Sequence, residues 1–192
     1  MVVSRMLAPV HSLGPGERVC LWTQGCSKKC YKCISPEMQP FFENGMDNDK
    51  LSSLIIDTAK KCECNGLTIS GGDPFEQSDK LLEVLKSVRT TFNDILVYTG
   101  FTLEEILNGS AGTAGKICLD YLDVLIDGRY IDKLNKEEFV LRGSQNQKIH
   151  FFNMDLKPLY DSYMAGGRLL ETFNTDSATI ITGIMSKNAL QG

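Results

Sequence analysis

The sequence has no excess of positive charge and only two histidines among its 192 residues. A formal net charge of −4 gives no basic surface of the kind that attracts a nucleic-acid backbone. The composition therefore argues against nucleic acid as a partner. The histidines, His11 and His150, are far apart in the chain and lack an obvious partner motif. We expect both to be structural, and we expect no side chain to act as a catalytic acid, base or nucleophile.

Long apolar runs are absent as well. No segment is long enough to span a bilayer, and residues 1–9 lack the apolar stretch of a secretory signal. These absences predict a cytoplasmic protein with no membrane partner. Seven cysteines, an odd number, then indicate a reducing compartment rather than a disulfide framework.

Three of the cysteines are concentrated in one short segment. Cys26, Cys30 and Cys33 have the spacing Cys-x3-Cys-x2-Cys and follow the apolar run 19–22. Thiolates so close together can all bind one iron–sulfur cluster, because cysteine sulfur is the usual ligand of iron in such clusters. Three ligands leave one iron of a 4Fe–4S cluster without a protein partner, and an open position distinguishes a catalytic metal site from a closed structural one. The segment predicts a catalytic cluster in a loop over residues 25–34.

Zinc is the alternative metal for these cysteines. A structural zinc site usually has four Cys or His ligands, often as paired Cys-x2-Cys arms, and no second arm follows here. Cys62 and Cys64 are the only other pair, and one intervening residue is too short for the usual chelate. Like Cys20 and Cys118, this pair lies in or beside apolar segments, which favours buried, inert thiols. Spacing alone favours the cluster and leaves zinc open.

Apolar periodicity alternates along the chain between strand-like and helix-like segments. Strands are expected at residues 19–23, 66–70, 95–99, 122–127, 149–152 and 178–184, and helices around residues 51–59, 81–88, 102–105 and 156–164. Asp47 or Asp49 would cap the first helix and Ser78 the second, while Thr102 and Glu105 have the spacing of a capping box. The stretch 108–115 is expected to be a loop, and 129–147 a loop with a helical turn.

Strands and helices that alternate in this way predict an α/β fold of right-handed βαβ units. Five or six parallel-strand units cannot close the usual eight-stranded barrel, so the predicted fold is a partial, open (β/α) barrel. Its active-site loops would lie at the carboxyl ends of the strands. No internal repeat or low-complexity linker divides the chain, which predicts a single domain over residues 1–192.

The second predicted strand ends in Ser70-Gly71-Gly72-Asp73-Pro74. Glycine has no Cβ, so the backbone here can approach a ligand closely. Beside an open iron, the backbone at residues 70–72 would accept hydrogen bonds from the ammonium group of a ligand. On its own, the motif is more typical of a plain turn at the end of a strand. It gains significance from the cysteine segment, with which it would share one rim of the barrel.

The cysteine segment and the glycine motif together resemble the radical S-adenosylmethionine (SAM) superfamily. Gly14-Pro15-Gly16-x-Arg18 and Gln24-Gly25-Cys26 look like the segment that leads into the cluster loop of glycyl-radical-enzyme activases. Further segments are similar to the small branch that activates the anaerobic ribonucleoside-triphosphate reductase, namely VYTGFT (97–102), DVLIDGRY (123–130) and RGSQNQ (142–147). The resemblance covers most of residues 2–152. Residues 153–192 match nothing beyond the last strand, and their role stays open.

Two residues depart from the superfamily pattern, and one segment is missing. Lys32 stands where the superfamily often has an aromatic residue, and Asp73 stands where many relatives have glutamate. Larger activases typically carry a ferredoxin-like insertion with further Cys-x2-Cys arms, and the sequence has none.

The resemblance implies a cofactor set and a reaction. Cys26, Cys30 and Cys33 would hold three irons of a 4Fe–4S cluster, and the fourth iron would bind the amino and carboxylate groups of SAM. The residues implied to contact SAM are Lys32, Cys33, Ile34, Ser70, Gly71, Gly72 and Asp73. An electron from a flavodoxin-type donor would cleave SAM to methionine and a 5′-deoxyadenosyl radical. That radical would take a hydrogen atom from one glycine of a glycyl-radical enzyme, the anaerobic ribonucleoside-triphosphate reductase.

Two other functions stay open. One is a small radical SAM enzyme that modifies another protein or peptide, and the other is a metal-binding scaffold or electron-transfer module. Asp123, Asp127 and Arg142 are candidate contacts to SAM or to a partner, and they are equally typical of solvated charges at loop ends.

Overall fold

The computed structural model describes residues 1–175 and 178–186 and combines a six-stranded sheet with five α-helices in that part of the chain. The strands of the sheet are β1 (Val3–Val10), β2 (Arg18–Thr23), β3 (Gly66–Gly71), β4 (Asp94–Tyr98), β5 (Val124–Asp127) and β6 (Lys148–Phe151). The helices are α1 (Asn48–Lys61), α2 (Ser78–Val88), α3 (Leu103–Leu107), α4 (Gly112–Cys118) and α5 (Lys157–Ala165). A separate hairpin consists of β7 (Leu170–Asn174) and β8 (Thr179–Gly183). None of the described helices is long and apolar enough to cross a membrane.

The sheet is mixed, and its strands lie side by side in chain order. Strands β2 to β5 are parallel, whereas β1 is antiparallel to β2 and β6 is antiparallel to β5. The α/β class is confirmed, but the prediction of five or six parallel units is corrected to four parallel strands. The reason lies in the connections: residues 11–17 and 128–147 contain no α-helix, and a parallel crossover usually needs one. The sequence analysis also missed β1.

Helix boundaries follow the sequence signals in part. Asp47 caps α1 by accepting a hydrogen bond from the backbone of Lys50 at 3.1 Å, and the capping box at the start of α3 is present. Ser78 is the first residue of α2 rather than its cap, and Leu54 of α1 is exposed although its spacing placed it on the buried face. The prediction of a loop over residues 108–115 is wrong from residue 112 onward, where α4 begins. Of the segment 153–192, residues 176–177 and 187–192 lie outside the described residues.

The core has a large layer on one face of the sheet and two smaller ones. Residues of α1 to α4 pack against strand residues such as Leu67, Ile69 and Val97. Strand residues alternate between faces, so Leu96 and Ile126 point the other way and pack against Tyr160 of α5. A third cluster contains Val10, Leu13, Cys20, Trp22 and Met38, and the hairpin contributes Phe173 to it. Helices α1 to α4 therefore cover one face, while α5 and the hairpin cover parts of the other.

An ion pair is buried where the parallel strands begin. Arg18 is fully buried, and its Nη1 lies 2.5 Å from Asp94 Oδ2 while its Nε lies 2.6 Å from Thr68 Oγ1. The remaining N–H groups donate to backbone carbonyl oxygens, those of Pro15, Leu67 and Asp94. All five donors of the guanidinium are therefore used. One side chain joins the loop before β2 to both β3 and β4.

The surroundings of Arg18 are shaped for its side chain. A Cβ at Gly66 would lie 2.7 Å from Arg18 Nη1, and a Cβ at Gly14 would lie 2.9 Å from Arg18 Nε. The hydroxyl of Tyr160 lies 2.9 Å from Asp94 Oδ2, which brings α5 into the same network. Glycine at both positions therefore leaves space for the guanidinium.

The hairpin is attached to the loop after β1 through Glu171. Its Oε2 accepts hydrogen bonds from the backbone N–H groups of His11 at 2.8 Å and Ser12 at 2.6 Å, and its Oε1 lies 2.8 Å from His11 Nδ1. His11 Nε2 lies 2.8 Å from Glu17 Oε2. Hydrogen bonds to Glu171 and Glu17 raise the pKa of His11 above its usual value. Burial alone would raise the pKa of Glu171, but hydrogen bonds from His11 and Ser12 outweigh it and lower the pKa.

We predict that replacing Arg18 by Met lowers the free energy of unfolding by about 3–5 kcal/mol, because the carboxylate of Asp94 would stay buried without its cation. Urea unfolding of the reduced protein measures the change. Lys157→Met is the control: its pair with Asp161 is exposed, so its loss should cost less than about 1 kcal/mol. Equal effects of the two substitutions would contradict a dominant role for Arg18. The double variant Arg18→Met/Asp94→Leu should recover part of the loss, since apolar residues can replace a buried pair.

We also predict that the hairpin is held more firmly at pH 6 than at pH 8.5. Because its pKa is raised in the folded protein, His11 stabilises the hairpin contact fully below its usual pKa of 6.5 and loses this stabilisation as the pH rises through the raised value. The carboxylate of Glu171 stabilises the contact above its usual pKa of 4.5, so both groups stabilise it between these two pH values. Amide hydrogen exchange in β7 and β8, corrected for the intrinsic effect of pH, should be slower at pH 6. The same pH dependence in His11→Gln would show that this contact is not its source.

Candidate functional site

The three clustered cysteines lie in the loop that follows β2, at the carboxyl end of the parallel strands. Cys26, Cys30 and Cys33 are free thiols, and each is partly buried. Lys29 and Lys32 have φ values of 48° and 55°, so the backbone turns sharply twice between the first and last cysteine. The loop therefore folds back on itself, and the three thiols lie in one short segment beyond the end of β2.

Backbone hydrogen bonds hold the start of this loop. The N–H of Gly25 donates to the carbonyl of Met38 at 2.8 Å, and the N–H of Cys26 donates to that of Gln39 at 3.0 Å. Within the loop, the N–H of Cys33 donates to the carbonyl of Cys30 at 3.2 Å. The start of the loop is thus fixed by main-chain contacts that involve no sulfur.

The glycine motif at the end of β3 packs directly against the start of the cysteine loop. Gly72 donates to the carbonyl of Thr23 at 2.8 Å, and Asp73 donates to that of Gly25 at 2.9 Å. Gly71 has φ +112°, and a Cβ there would lie 2.3 Å from the nitrogen of Thr23; a Cβ at Gly72 would lie 2.5 Å from the oxygen of Gly25. Glycine is needed at both positions because another backbone occupies the space.

A cavity of about 700 Å³ brings most of the predicted site residues together. Of those residues, it is lined by Cys26, Cys30, Lys32, Cys33, Ile34, Ser70, Gly71 and Gly72. The hydroxyl of Tyr98 is also buried beside this cavity and has no hydrogen-bond partner among the described residues.

Of the seven residues that the resemblance implies as SAM contacts, Asp73 alone does not line the cavity. Its carboxylate is buried and accepts hydrogen bonds from Thr99 Oγ1 at 2.8 Å and from the backbone of Gly100 at 2.9 Å and of Phe75 at 3.1 Å. Burial raises the pKa of Asp73 to about 6. Its side chain ties the glycine turn to the end of β4, so it positions the turn from behind.

Lys28 is a site residue that the sequence analysis did not identify. Its side chain is only 5% exposed, its Nζ lies 2.9 Å from Glu76 Oε1, and the ammonium stands 3.2 Å from the centre of the Phe101 ring. Burial would raise the pKa of Glu76, but hydrogen bonds from Ser27 and Lys28 outweigh it and lower the pKa. Lys28 thus attaches the cysteine loop to the segments that follow β3 and β4. Its distant partners leave no signal in the local sequence.

The charged residues named as candidate contacts serve the loops instead. Asp123 accepts hydrogen bonds from Arg89 and from the backbone of Ile95, and Asp127 accepts from two backbone N–H groups. Arg142 donates to the carbonyl of Gln147 at 2.8 Å. None of the three lines the cavity of the cysteines in the described part of the chain. His150 Nε2 lies 2.9 Å from Asp127 Oδ2, outside this cavity as well.

The donor set suits a cluster better than one ion. Across residues 1–175 and 178–186, no three Cys, His, Asp or Glu side chains are grouped so as to hold a single metal ion. In a cluster each cysteine binds a separate iron, so the three thiolates stay apart. Burial raises the pKa of Cys26 to about 11 and also raises that of Cys30. Such thiols ionise when a metal ion binds them.

Comparison with known proteins assigns a domain to most of this chain. Residues 12–150 match a family model described as "4Fe-4S single cluster domain". The anaerobic ribonucleoside-triphosphate reductase-activating protein of Haemophilus influenzae is 33% identical over 147 residues, which cover 73% of this chain and 92% of that protein. The protein of the same name from Escherichia coli K12 is 31% identical, with 71% and 90% covered, and that of Enterobacteria phage T4 is 29% identical, with 71% and 85% covered.

We predict that Gly71→Ala lowers the free energy of unfolding by about 2–4 kcal/mol, because the new methyl group would meet the backbone of Thr23. Iron and sulfide bound per chain after anaerobic reconstitution should fall as well, since the cysteine loop would be displaced. Gly109→Ala is the matched control: Gly109 has φ +87° but no atom within 4 Å of the new Cβ. It should cost only about 1–2 kcal/mol and keep its iron. Equal iron content in both variants would contradict the role assigned to this contact.

Proposed function

Because the chain belongs to the family of anaerobic ribonucleoside-triphosphate reductase-activating proteins, we propose that it is a radical SAM activase that generates a glycyl radical on such a reductase. The observation that carries the proposal is the placement of three free cysteines and a glycine turn around one cavity. These residues all lie within the matched range 12–150.

In this proposal, Cys26, Cys30 and Cys33 hold three irons of a 4Fe–4S cluster and leave the fourth iron open to the cavity. SAM occupies the cavity, whose volume of about 700 Å³ lies in the usual range for small-molecule sites. A reduced cluster held by these cysteines would supply the electron for the reductive cleavage of SAM, a reaction for which no amino-acid side chain is suited. The protein binds and orients the two cofactors and excludes water and oxygen.

The residues around the cavity offer suitable groups for SAM. Ser70, Gly71 and Gly72 line the cavity, so their backbone lies where the charged groups of SAM would bind in this proposal. We propose contacts to SAM from the backbone at Lys32, Cys33, Ile34, Ser70, Gly71 and Gly72, with Asp73 acting indirectly through the turn.

The fold supports the same proposal. Four parallel strands in an open sheet, with the cysteine loop at their carboxyl end, agree with a partial (β/α) barrel of the radical SAM type. We propose that residues 1–192 form one such domain and that the protein works in the reducing cytoplasm. A flavodoxin-type protein is the proposed electron donor, and the catalytic subunit of the reductase is the proposed partner.

The function is tested on the anaerobically reconstituted protein by electron paramagnetic resonance (EPR) with and without SAM. We expect a 4Fe–4S signal that shifts on addition of SAM, 5′-deoxyadenosine as a product, and a glycyl radical signal when the reductase is present. Cys30→Ser should reduce 5′-deoxyadenosine to less than about a tenth, because an open cluster needs all three ligands. Cys62→Ser, which changes a partly buried thiol away from the cavity, is the control and should retain activity.

Each other result supports a different function. A cluster signal that SAM leaves unchanged would favour a scaffold or an electron-transfer module. Formation of 5′-deoxyadenosine without a glycyl radical on the reductase would favour a radical SAM enzyme with another protein or peptide as substrate.

A further inference from the structure

The cavity of the cysteines has a wall that comes from outside the matched range 12–150. Strand β8 and the residues after it contribute Thr179, Ile181, Thr182, Gly183, Ile184, Met185 and Ser186 to its lining. These positions belong to the C-terminal segment 153–192, of which the sequence analysis matched only the last strand and whose role it left open. The segment is therefore part of the site rather than an appendage.

The wall is held in place by polar contacts on both sides. The guanidinium of Arg168 donates to the carbonyl of Met185 at 2.9 Å and to that of Phe139 at 2.9 Å, which joins the hairpin to the loop 128–147. On the other side, Thr182 Oγ1 lies 2.8 Å from Ser12 Oγ, next to the contact of Glu171 with His11. The position of β8 relative to the cavity is thus built into the fold.

Strand β8 faces the cavity with its edge. Ile181, Thr182 and Gly183 are consecutive, and all three line the cavity. Alternate side chains of a strand point to opposite faces, so a run of consecutive lining residues means that the strand meets the cavity along its backbone edge. Within the described residues, β8 pairs only with β7, and no backbone hydrogen bond joins its other edge to another element. That edge offers N–H and C=O groups to an extended chain.

The segments that line the cavity differ in charge. None of the lining residues from the hairpin segment is charged. The charged lining residues all come from other elements: Arg5 from β1, Lys28 and Lys32 from the cysteine loop, Glu37 from the turn after that loop, and Asp132 from the loop after β5. A charged cofactor such as SAM fits beside these residues, which leaves the neutral edge of β8 to a ligand that presents uncharged backbone.

We propose that the free edge of β8 docks the glycine-bearing segment of the reductase as an extended strand. Strand addition to an exposed edge is a common mode of peptide recognition, in which main-chain hydrogen bonds provide the affinity. It would hold the target glycine at the neutral side of the cavity, across from the cysteines. The inference rests on the proposed function and adds to it the element that recognises the partner.

The first test compares Ile181→Glu with Leu159→Glu in the reconstituted protein with SAM, reductant and the full reductase. The two side chains are 50% and 49% exposed, but Leu159 lies on α5 and does not line the cavity. The number of glycyl radicals formed per SAM cleaved should fall by about tenfold or more in Ile181→Glu, because the new carboxylate would lose water against a neutral strand. The ratio in Leu159→Glu should equal that of the wild type. Thermal unfolding verifies that both variants are folded.

The second test needs no substitution. Amide hydrogen exchange in the wild-type holoprotein should slow at residues 179–183 when the reductase is added, because docking would place their free N–H groups in hydrogen bonds. Unchanged exchange there, with the reductase bound, would overturn the proposal. An Ile181→Glu variant whose ratio stays within twofold of the wild type would do the same.

The two levels of inference fail in different ways. If the wild type forms no glycyl radical on the reductase although SAM is cleaved, the proposed function is wrong. If the wild type forms the radical and β8 behaves as in the overturning results, only the docking proposal is wrong.

Discussion

The buried pair of Arg18 and Asp94 fixes the beginning of the parallel sheet, and the rest of the molecule depends on that frame. Arg18 opens β2, Asp94 opens β4, and the guanidinium crosses β3 between them. Because all five donors are used, the pair tolerates little displacement of any of the three strands. Tyr160 extends the network to α5, on the face of the sheet opposite α1 to α4. One end of the sheet is thereby closed and rigid, and the loops at the opposite end are free to form the site.

Local signals were sufficient for much of the fold. The helical spacing of α1 and α2, the cap at Asp47 and the capping box at Thr102 each depend on residues within a few positions of one another, and each is present. Strand direction is different, because it depends on what a strand meets after its connection. The antiparallel β1 and β6 could not be read from the sequence for that reason. Leu54 shows the same limit, since helical spacing alone does not say where the sheet ends and solvent begins.

The features of the site can be divided in the same way, into local sequence patterns and contacts between distant segments. The cysteines and the glycine turn are local patterns, and the structure gathers them at one cavity. The contacts that complete the site link distant parts of the chain: Lys28 with Glu76, Ser12 with Thr182, and Arg168 with Met185. Each depends on the packing of β2, β3 and the hairpin, which no short pattern encodes. Asp73 combines both cases, because its position in the motif was evident while its partners Thr99 and Gly100, just after β4, were not.

The cysteine loop is anchored by backbone hydrogen bonds that do not involve the thiols, and this matters when the protein is exposed to oxygen. The contacts of Gly25 and Cys26 with residues 38 and 39, and the packing of Gly71 and Gly72 beneath them, would persist if the inorganic centre were destroyed. In domains where metal binding drives folding, loss of the metal unfolds the chain and exposes it to proteolysis. Here the scaffold and the inorganic part are energetically separable. Oxidative loss of the cluster would then leave a repairable protein, ready for reassembly rather than for replacement by new synthesis.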